Sequence, residues 1–253
     1  MKILLLDIET APHRVYSWGL FRQNIAINQI EEPGYTLCWS AKWYGAEEVM
    51  FSSIYKDGWD DMIEKIYKLL DEADVVVHYN GTKFDIPTLN QEFISAGYSP
   101  PSPVLQIDLL STARRRFRLA SNKLDYVAGF LGLRGKVKHK GMELWRDCMA
   151  GDAEAWEIME KYNRRDTVLL EEVYNRLRPW ILNHPNHGLF KEDDSEDFVC
   201  PNCGSTHLQK RGRYYTKTLS YQRYRCMSCK SWHRERTTDL PLDKRHKILV
   251  GVM

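Results

Sequence analysis

The sequence predicts an α/β protein in which helices flank a mixed β-sheet, followed by a small C-terminal domain. Short apolar runs typical of buried strands alternate with segments of helical periodicity over most of the chain. An acidic run without apolar periodicity then occupies residues 191–197, and four cysteines crowd into the part that follows. These observations predict a main domain over 1–190, a linker over 191–197 and a C-terminal domain over 198–253.

The predicted strands and helices follow from the period of the apolar residues. The run Lys2 to Leu6 predicts a strand that is buried on both faces and ends at Asp7. Aromatic and β-branched residues predict two further antiparallel strands over 36–43 and 49–55. The remaining predicted elements are a helix over 59–70, a strand over 74–78, a helix over 85–96, a strand over 104–107, a helix over 123–131 and a long helix over 152–178.

Composition limits the classes of protein that this chain can be. The 253 residues contain no apolar run long enough to span a membrane, and the first apolar run meets an acid too early for a secretion signal. We therefore expect a cytoplasmic protein without a membrane partner. Residues 198–253 carry 12 Lys/Arg and 3 Asp/Glu, a net charge of +9, whereas residues 1–197 sum to −7. A basic tail favours a polyanionic partner; a merely solvated tail is the alternative.

Acidic residues occur where strands and helices of the main domain would bring them together. Asp7 and Glu9 are two positions apart on a strand, so both side chains point to one face. Asp85 follows another strand, and Tyr162 and Asp166 lie one turn apart on the long helix. Some of these features have a structural alternative: Asp85 could be an acid at a helix N-terminus, and Tyr162 and Asp166 could be a hydrogen-bonded pair. Jointly they favour a carboxylate site for Mg²⁺ or Mn²⁺ and phosphodiester hydrolysis.

The order and spacing of these residues resemble the DEDD, or DnaQ-like, 3′→5′ exonucleases of the ribonuclease H-like superfamily. The similarity is to the proofreading domain of family-B DNA polymerases and to small free-standing phage exonucleases. It rests on the motifs Asp7-x-Glu9, Asn80 to Asp85 and Tyr162-x-x-x-Asp166, with Lys123 to Ala128 resembling the helix before the third motif. It covers roughly residues 1–180 and implies a ribonuclease H-like sheet; a phage origin would place the protein in the host cytoplasm.

The resemblance implies a role for each motif residue. Asp7, Glu9, Asp85 and Asp166 would hold two Mg²⁺ or Mn²⁺ ions, and Tyr162 would orient the attacking water. The histidine branch of the family carries its histidine where this chain has Lys161, so the tyrosine (DEDDy) branch is indicated. The products would be nucleoside 5′-monophosphates. The spacer from Asn80 to Asp85 is one residue longer than the polymerase form, which leaves the role of Asn80 less defined.

Substrate contacts are expected from residues near these motifs and from basic loops. The candidates are Thr10, Asn80, Phe84, Lys138, His139 and Lys140. Phe84 is expected either to stack on a terminal base or to pack in the core, and the basic clusters 114–118 and 136–141 either to bind phosphates or to be solvated. Asp108 is a fifth acidic candidate, for which a structural or capping role is favoured over direct binding of a metal. Single-stranded DNA is the favoured substrate. The alternative enzymes are a 3′→5′ exoribonuclease and a structure-selective nuclease, and the alternative of another class is an inactive nucleic-acid-binding accessory protein.

Two CxxC pairs dominate the C-terminal domain. Cys200 and Cys203 precede Cys226 and Cys229 by a spacing typical of a four-thiolate structural Zn²⁺ site. The segments 208–215 and 219–225 between them predict a hairpin, and the whole resembles zinc ribbons, including those of transposases. Aromatic residues there interleave with basic ones, which suits nucleic acid; docking of replication or repair proteins is the alternative. Cys38 and Cys148 are expected to be buried thiols, and His207 and His233 are not expected to be ligands.

Overall fold

The computed structural model describes residues 1–135, 137, 139–191 and 197–252. Lys136, Lys138 and most of the expected acidic linker lie outside the described residues. The chain divides into two compact units, Lys2–Tyr174 and the region from Asn175 to the C-terminus. The domain boundaries 1–190, 191–197 and 198–253 remain a prediction. Among the described helices, none combines the length and apolarity that crossing a membrane requires.

The first unit is built on a five-stranded mixed sheet and a small two-stranded one. Its strands are β1 (Ile3–Thr10), β2 (Arg14–Val15), β3 (Ile30–Glu32), β4 (Thr36–Trp43), β5 (Met50–Ser53), β6 (Val75–His78) and β7 (Leu105–Asp108). The large sheet has the order β5-β4-β1-β6-β7, and β2 pairs with β3. Strand β1 is antiparallel to β4 and parallel to β6, which is itself parallel to β7. Strand β1 therefore lies at the centre of the sheet, where the expected carboxylates are.

Helices cover the sheet. They are α1 (Trp59–Glu72), α2 (Asp85–Ser95), α3 (Leu109–Arg116), α4 (Leu124–Phe130), α5 (Met142–Met149) and α6 (Ala153–Leu177). Leu4, Leu6 and Ile8 of β1 pack with buried residues of α1 and α2 in one core cluster. A second cluster joins Leu37 and Cys38 of β4 to buried residues of α5 and α6. The expected fold class, a mixed sheet flanked by helices, is confirmed.

Hydrogen bonds dock α6 onto the sheet. Ser40 Oγ in β4 donates to the carbonyl of Asn163 at 2.8 Å and also bonds the Thr167 hydroxyl. Further along, Lys42 and Glu171 form a largely buried ion pair. Since buried polar groups of this kind need their partners, these contacts fix the rotation of α6 about its axis. The face of α6 that carries Asp166 is thereby turned towards the strands.

The structure adds elements that the apolar pattern did not predict. The hairpin β2–β3 lies within the long connection after β1, and both of its strands are largely exposed. Helix α5 buries only Leu144 and Cys148, and α3 ends in the exposed run Arg114 to Arg116. Helices this short do not show a clear helical period in the sequence. The three arginines lie in the last turn of α3, where the helix dipole favours cations, so part of this basic cluster has a structural role.

The second unit contains a three-stranded sheet with the order β10-β9-β8. Its strands are β8 (Leu208–Tyr215), β9 (Ser220–Cys226) and β10 (Trp232–Arg234), and a short helix α7 (Leu242–Arg245) follows. The predicted hairpin corresponds to β8 and β9, which pair in antiparallel fashion with an irregularity between Lys210 and Arg213. The three residues of β10 are too few to show a strand pattern in the sequence.

Candidate functional site

Three of the expected carboxylates meet at the carboxyl end of β1. Asp7, Glu9 and Asp166 each offer an oxygen, and these oxygens lie within 4.8 Å of one another. Asp166 is buried, whereas Asp7 and Glu9 are half-buried. Ionised carboxylates at this separation repel one another unless a cation lies between them. Their oxygen atoms are the ligands that Mg²⁺ and Mn²⁺ prefer, so the donor set fits such an ion.

Asp85 lies beside this group, at the start of α2. Its Oδ1 accepts the backbone N–H of Ile8, the residue between Asp7 and Glu9, at 3.3 Å. The side chain is 4% exposed. Burial raises the pKa of Asp85 from 3.8 to about 7, and the nearby Asp108 carboxylate adds to the rise. A carboxylate held in this way is costly to ionise until a cation compensates its charge.

Replacement of Asp85 by Asn should stabilise the protein in buffer without Mg²⁺ or Mn²⁺. Because the pKa of Asp85 is raised on folding, the folded state binds its proton more tightly, and stability falls as the pH rises from about 4 to about 7. An Asn Oδ1 can still accept from Ile8 without that loss, so at pH 8 the gain in unfolding free energy should reach up to about 4 kcal/mol.

Thermal unfolding of wild type and Asp85→Asn at pH 5 and pH 8 measures this effect. The difference between them should be larger at pH 8. Asp57→Asn is the matched control, because Asp57 has the opposite shift: its pKa is lowered although burial opposes this, mainly through bonds from Lys65 and Ser52. That variant should be destabilised at pH 8, and equal destabilisation of the two variants would contradict our reading of Asp85.

Tyr162 is a residue of α6, and its side chain lies against the carboxylates. It is 7% exposed, and its hydroxyl hydrogen-bonds with Asp166. Burial, together with the charges of Glu9, Asp166 and Asp7, raises the pKa of Tyr162 far above its ordinary value. The phenol therefore stays protonated and acts as a hydrogen-bond donor. Its ring also contacts that of His139, with centroids 4.8 Å apart.

Hydrogen bonds to His78 and Asp108 hold the loop between β6 and α2 in place. His78 is fully buried and its Nδ1 accepts the backbone N–H of Gly81 at 3.0 Å. A Cβ at Gly81 would lie 2.4 Å from Cγ of His78, so only glycine fits there. Asn80 has a φ of 73° and donates its backbone N–H to Asp108 Oδ1 at 3.0 Å. The loop thus has a fixed conformation that delivers Phe84 and Asp85.

Asn163 is a functional residue that the sequence interpretation missed. It is fully buried, and its side-chain amide donates to Asp7 Oδ2 at 2.7 Å. Cys38 Sγ lies 3.9 Å from its Oδ1. The amide therefore orients the Asp7 carboxylate without adding charge. Its place next to Tyr162 and three residues before Asp166 was the available signal, since i and i+3 share a helix face.

Replacement of Asn163 by Ala should weaken metal binding about 10- to 100-fold, because loss of a residue that orients a ligand has effects of this size. The measurement is the Mn²⁺ concentration that gives half-maximal nuclease activity. Thr167→Ala is the matched control: Thr167 is also buried on α6 but bonds Ser40. That variant should lose stability and keep its metal dependence; the same shift in both variants would assign the effect of Asn163→Ala to general destabilisation.

Comparison with known proteins identifies the family to which the first unit belongs. The model of the RNase H superfamily matches residues 4–178. The chain belongs to the RNase H superfamily. Among solved structures, a family B DNA polymerase from the hyperthermophilic archaeon Pyrobaculum calidifontis is similar, with 17% identity and a TM-score of 0.53. The similarity covers 70% of this chain and 24% of the polymerase chain. No match was found among curated proteins.

Membership of the RNase H superfamily confirms the expected ribonuclease H-like fold and supports a hydrolase that acts on nucleic acid. It also supports the use of divalent metals, because nucleases of this fold typically use them. The matched region contains the four carboxylates and Tyr162, which are the residues discussed above. At 17% identity the polymerase shows the fold alone.

The other expected residues of this RNase H superfamily unit have different surroundings. Phe84 is 43% exposed, which disagrees with core packing and leaves its ring accessible. Thr10 is half-buried at the end of β1. Lys140 pairs with Glu143 at 3.0 Å on the surface, and Lys138 lies outside the described residues. Asp108 is confirmed as the N-cap of α3, since it accepts the N–H groups of Leu110 and Ser111.

The four C-terminal cysteines, which follow the matched region, form a second cluster. Their sulfurs lie within 4.8 Å of one another. Cys200 and Cys229 Sγ are 3.5 Å apart, and Cys203 and Cys226 Sγ are 3.7 Å apart. A tetrahedral Zn²⁺ with bonds of about 2.3 Å separates its sulfurs by about 3.8 Å. The cluster is therefore consistent with the expected zinc ribbon. Cys38 and Cys148 are buried, as expected.

His233 lies closer to the cysteines than the sequence interpretation expected. Its Nε2 is 3.3 Å from Cys200 Sγ and 2.6 Å from the Ser231 hydroxyl. The His233 ring can therefore support the sulfur of Cys200 by a hydrogen bond.

Proposed function

We propose that this chain is a two-metal 3′→5′ exonuclease of the DEDDy type that releases nucleoside 5′-monophosphates from single-stranded DNA. The observation that carries the proposal is the convergence of Asp7, Glu9 and Asp166 within 4.8 Å, beside the protonated hydroxyl of Tyr162. The same order of residues gives the sequence its resemblance to the DEDD exonucleases.

Each residue has a part that follows from its surroundings. Asp7, Glu9 and Asp166 would hold Mg²⁺ or Mn²⁺, and Asp85, which accepts the Ile8 N–H, would complete the set. When bound, two such ions would supply activation of a water and stabilisation of charge on the attacking and leaving oxygens. The Tyr162 hydroxyl, which bonds Asp166 in this structure, would turn to this water and orient it. Asn163 fixes the rotation of the Asp7 carboxylate.

Exposed groups near the carboxylates account for the preference for a single strand. The Phe84 ring is accessible next to Asp85, and a terminal base can stack on it only after it has left a duplex. His139 is exposed and lies over Tyr162, where it can contact the strand. RNA remains the second candidate substrate, since the same carboxylates and ring would serve it.

Competition between substrates tests this proposal. The protein should be incubated with single-stranded DNA, duplex DNA and RNA of the same sequence, with Mg²⁺ or Mn²⁺, and the products separated by chromatography. We expect single-stranded DNA to be degraded fastest and nucleoside 5′-monophosphates to be the product. Faster degradation of RNA would reassign the substrate, and oligonucleotide products from internal cuts would contradict an exonuclease.

A further inference from the structure

We infer that one face of the C-terminal sheet is a binding site for single-stranded nucleic acid. We call it the arginine face, and its residues are Tyr214, Tyr221, Arg223, Arg225, Trp232 and Arg234. It lies in the second compact unit and is independent of the carboxylate site. The inference concerns binding alone, so it does not depend on the proposed hydrolysis.

Strand register places these side chains together. Tyr221, Arg223 and Arg225 alternate along β9 and so share one face. Opposite residues of antiparallel strands share a face, and Arg225 is opposite Trp232 while Arg223 is opposite Arg234. On the other side, Tyr214 is opposite Tyr221. The same register places Tyr215 and Tyr224 on the reverse face, which also carries Cys226.

The arginines are held over the aromatic rings. The guanidinium carbons of Arg223 and Arg225 lie 4.8 Å and 5.6 Å from the centroid of Trp232. That of Arg234 lies 3.9 Å from the centroid of Tyr221. Stacking of this kind fixes the orientation of a planar guanidinium. Trp232 and Tyr214 are 51% and 46% exposed, so their rings also remain accessible to a ligand.

Among the described residues, no carboxylate forms an ion pair with the arginines of this face. Asp239 pairs with Arg213 at 3.3 Å, and Glu235 accepts the hydroxyl proton of Tyr224 at 2.6 Å. Arg223 Nε donates instead to a backbone carbonyl, that of Arg211. Arg225 Nε is buried without a hydrogen-bond partner among the residues that the structure describes. Fixed, uncompensated guanidinium groups of this kind fit phosphate.

Aromatic rings between the arginines select the kind of polyanion. An acidic peptide would satisfy the cations but would leave the rings without planar partners. A single strand supplies both a phosphate for each cation and a base for each ring or guanidinium plane. A duplex presents phosphates with its bases stacked inside. Because both units belong to one chain, a strand bound here is kept at high local concentration for the first unit.

Equilibrium binding of a fluorescein-labelled oligothymidylate tests the proposal. The full chain carries Asp7→Asn in every sample to prevent degradation. The test variant is Arg223→Gln/Arg225→Gln/Arg234→Gln, and the matched control removes the same charge from the tail, as Lys244→Gln/Arg245→Gln/Lys247→Gln. We expect the test variant to bind at least tenfold more weakly. The slope of log affinity against log salt should also fall in magnitude by about 2, because each of the three lost phosphate contacts contributes roughly 0.7 to the slope.

Two further variants separate a built site from general charge. Trp232→Ala keeps every charge and should weaken binding about 5- to 150-fold, the range for one stacked base. Replacing the three arginines by lysines should also weaken binding, because a lysine ammonium group neither stacks on an aromatic ring nor binds a phosphate through two parallel hydrogen bonds. Zinc content equal to that of wild type in every variant shows that the sheet is folded.

Equal losses in the test variant and the tail control would overturn the proposal in favour of diffuse attraction, and unchanged affinity in the test variant would overturn it outright. Hydrolysis of a dinucleotide by the same arginine variant, with Asp7 restored, is measured separately. It should proceed at the wild-type rate, because so short a substrate needs the carboxylate site alone. Failure of hydrolysis in wild type would contradict the proposed function and leave the binding result intact.

Discussion

Replacement of Asp7 by Asn is expected to lower the rate of hydrolysis by a factor of about a thousand or more. Asp7 is one of three residues whose carboxylate oxygens lie within 4.8 Å, and Asn163 holds it in place at 2.7 Å. Asn keeps the shape but loses the negative charge that a divalent ion needs. Charge stabilisation by such ions is worth several kcal/mol, which corresponds to this factor. The measurement is single-turnover hydrolysis at saturating Mn²⁺.

Asp61→Asn is the matched control for this variant. Asp61 is exposed in the first turn of α1, remote in sequence from the motifs, and its loss should leave the rate unchanged. Binding of single-stranded DNA by Asp7→Asn should persist, because the change leaves the exposed ring of Phe84 intact. Retention of more than a tenth of wild-type activity by Asp7→Asn would remove this carboxylate from the proposed mechanism.

Replacement of Cys229 by Ser is expected to abolish zinc binding and to unfold the sheet β8–β10. The four sulfurs have the separation that a tetrahedral ion requires. The sheet itself buries few large side chains. Zinc in such sites contributes about 10–16 kcal/mol of apparent binding free energy, which is also folding free energy. A sheet this small cannot replace that contribution with apolar burial.

Zinc content by mass spectrometry and the dispersion of amide resonances test this prediction. Wild type should contain one zinc per chain, and Cys229→Ser should contain none and lose the dispersed signals of residues 200–234. Cys148→Ser, which changes a buried thiol of α5, is the control and should keep its zinc. A wild-type protein that retains these signals after zinc removal would show that the sheet folds without metal.

Much of the fold is predictable from the sequence because burial imposes a period. Strand β6 is a continuous apolar run buried on both faces, and α1 buries Met62, Ile63, Ile66 and Leu70 on one stripe. Both were therefore predicted close to their observed bounds. Helices α3 and α5 have only eight residues each, which is too short for a clear period, and β2 and β3 bury none of their residues fully.

The sequence could predict those residues of the candidate site that are charged and that follow the order of the DEDD motifs. Asp7, Glu9 and Asp166 are such residues, and the structure brings them together. Asn163 carries no charge, and its role lies in the hydrogen bonds that its amide donates to Asp7, so only its position three residues before Asp166 pointed to it. The arginine face could not be predicted without the register of the strands. The irregularity between Lys210 and Arg213 decides whether Tyr214 or Tyr215 lies on the same face as the arginines. A pattern of alternating residues cannot reveal that shift.

The position at which a strand loses its first nucleotide tests the central claim most directly. One single-stranded DNA is prepared with a label on its 3′-terminal nucleotide and, separately, on its 5′ end, and each is incubated with the protein and Mn²⁺. We predict that the 3′ label appears at once as a mononucleotide, that the 5′ label persists in a ladder of shortening strands, and that both reactions stop without a divalent metal. Immediate release of the 5′ label, internal cuts, or hydrolysis that needs no metal would contradict a two-metal 3′→5′ exonuclease.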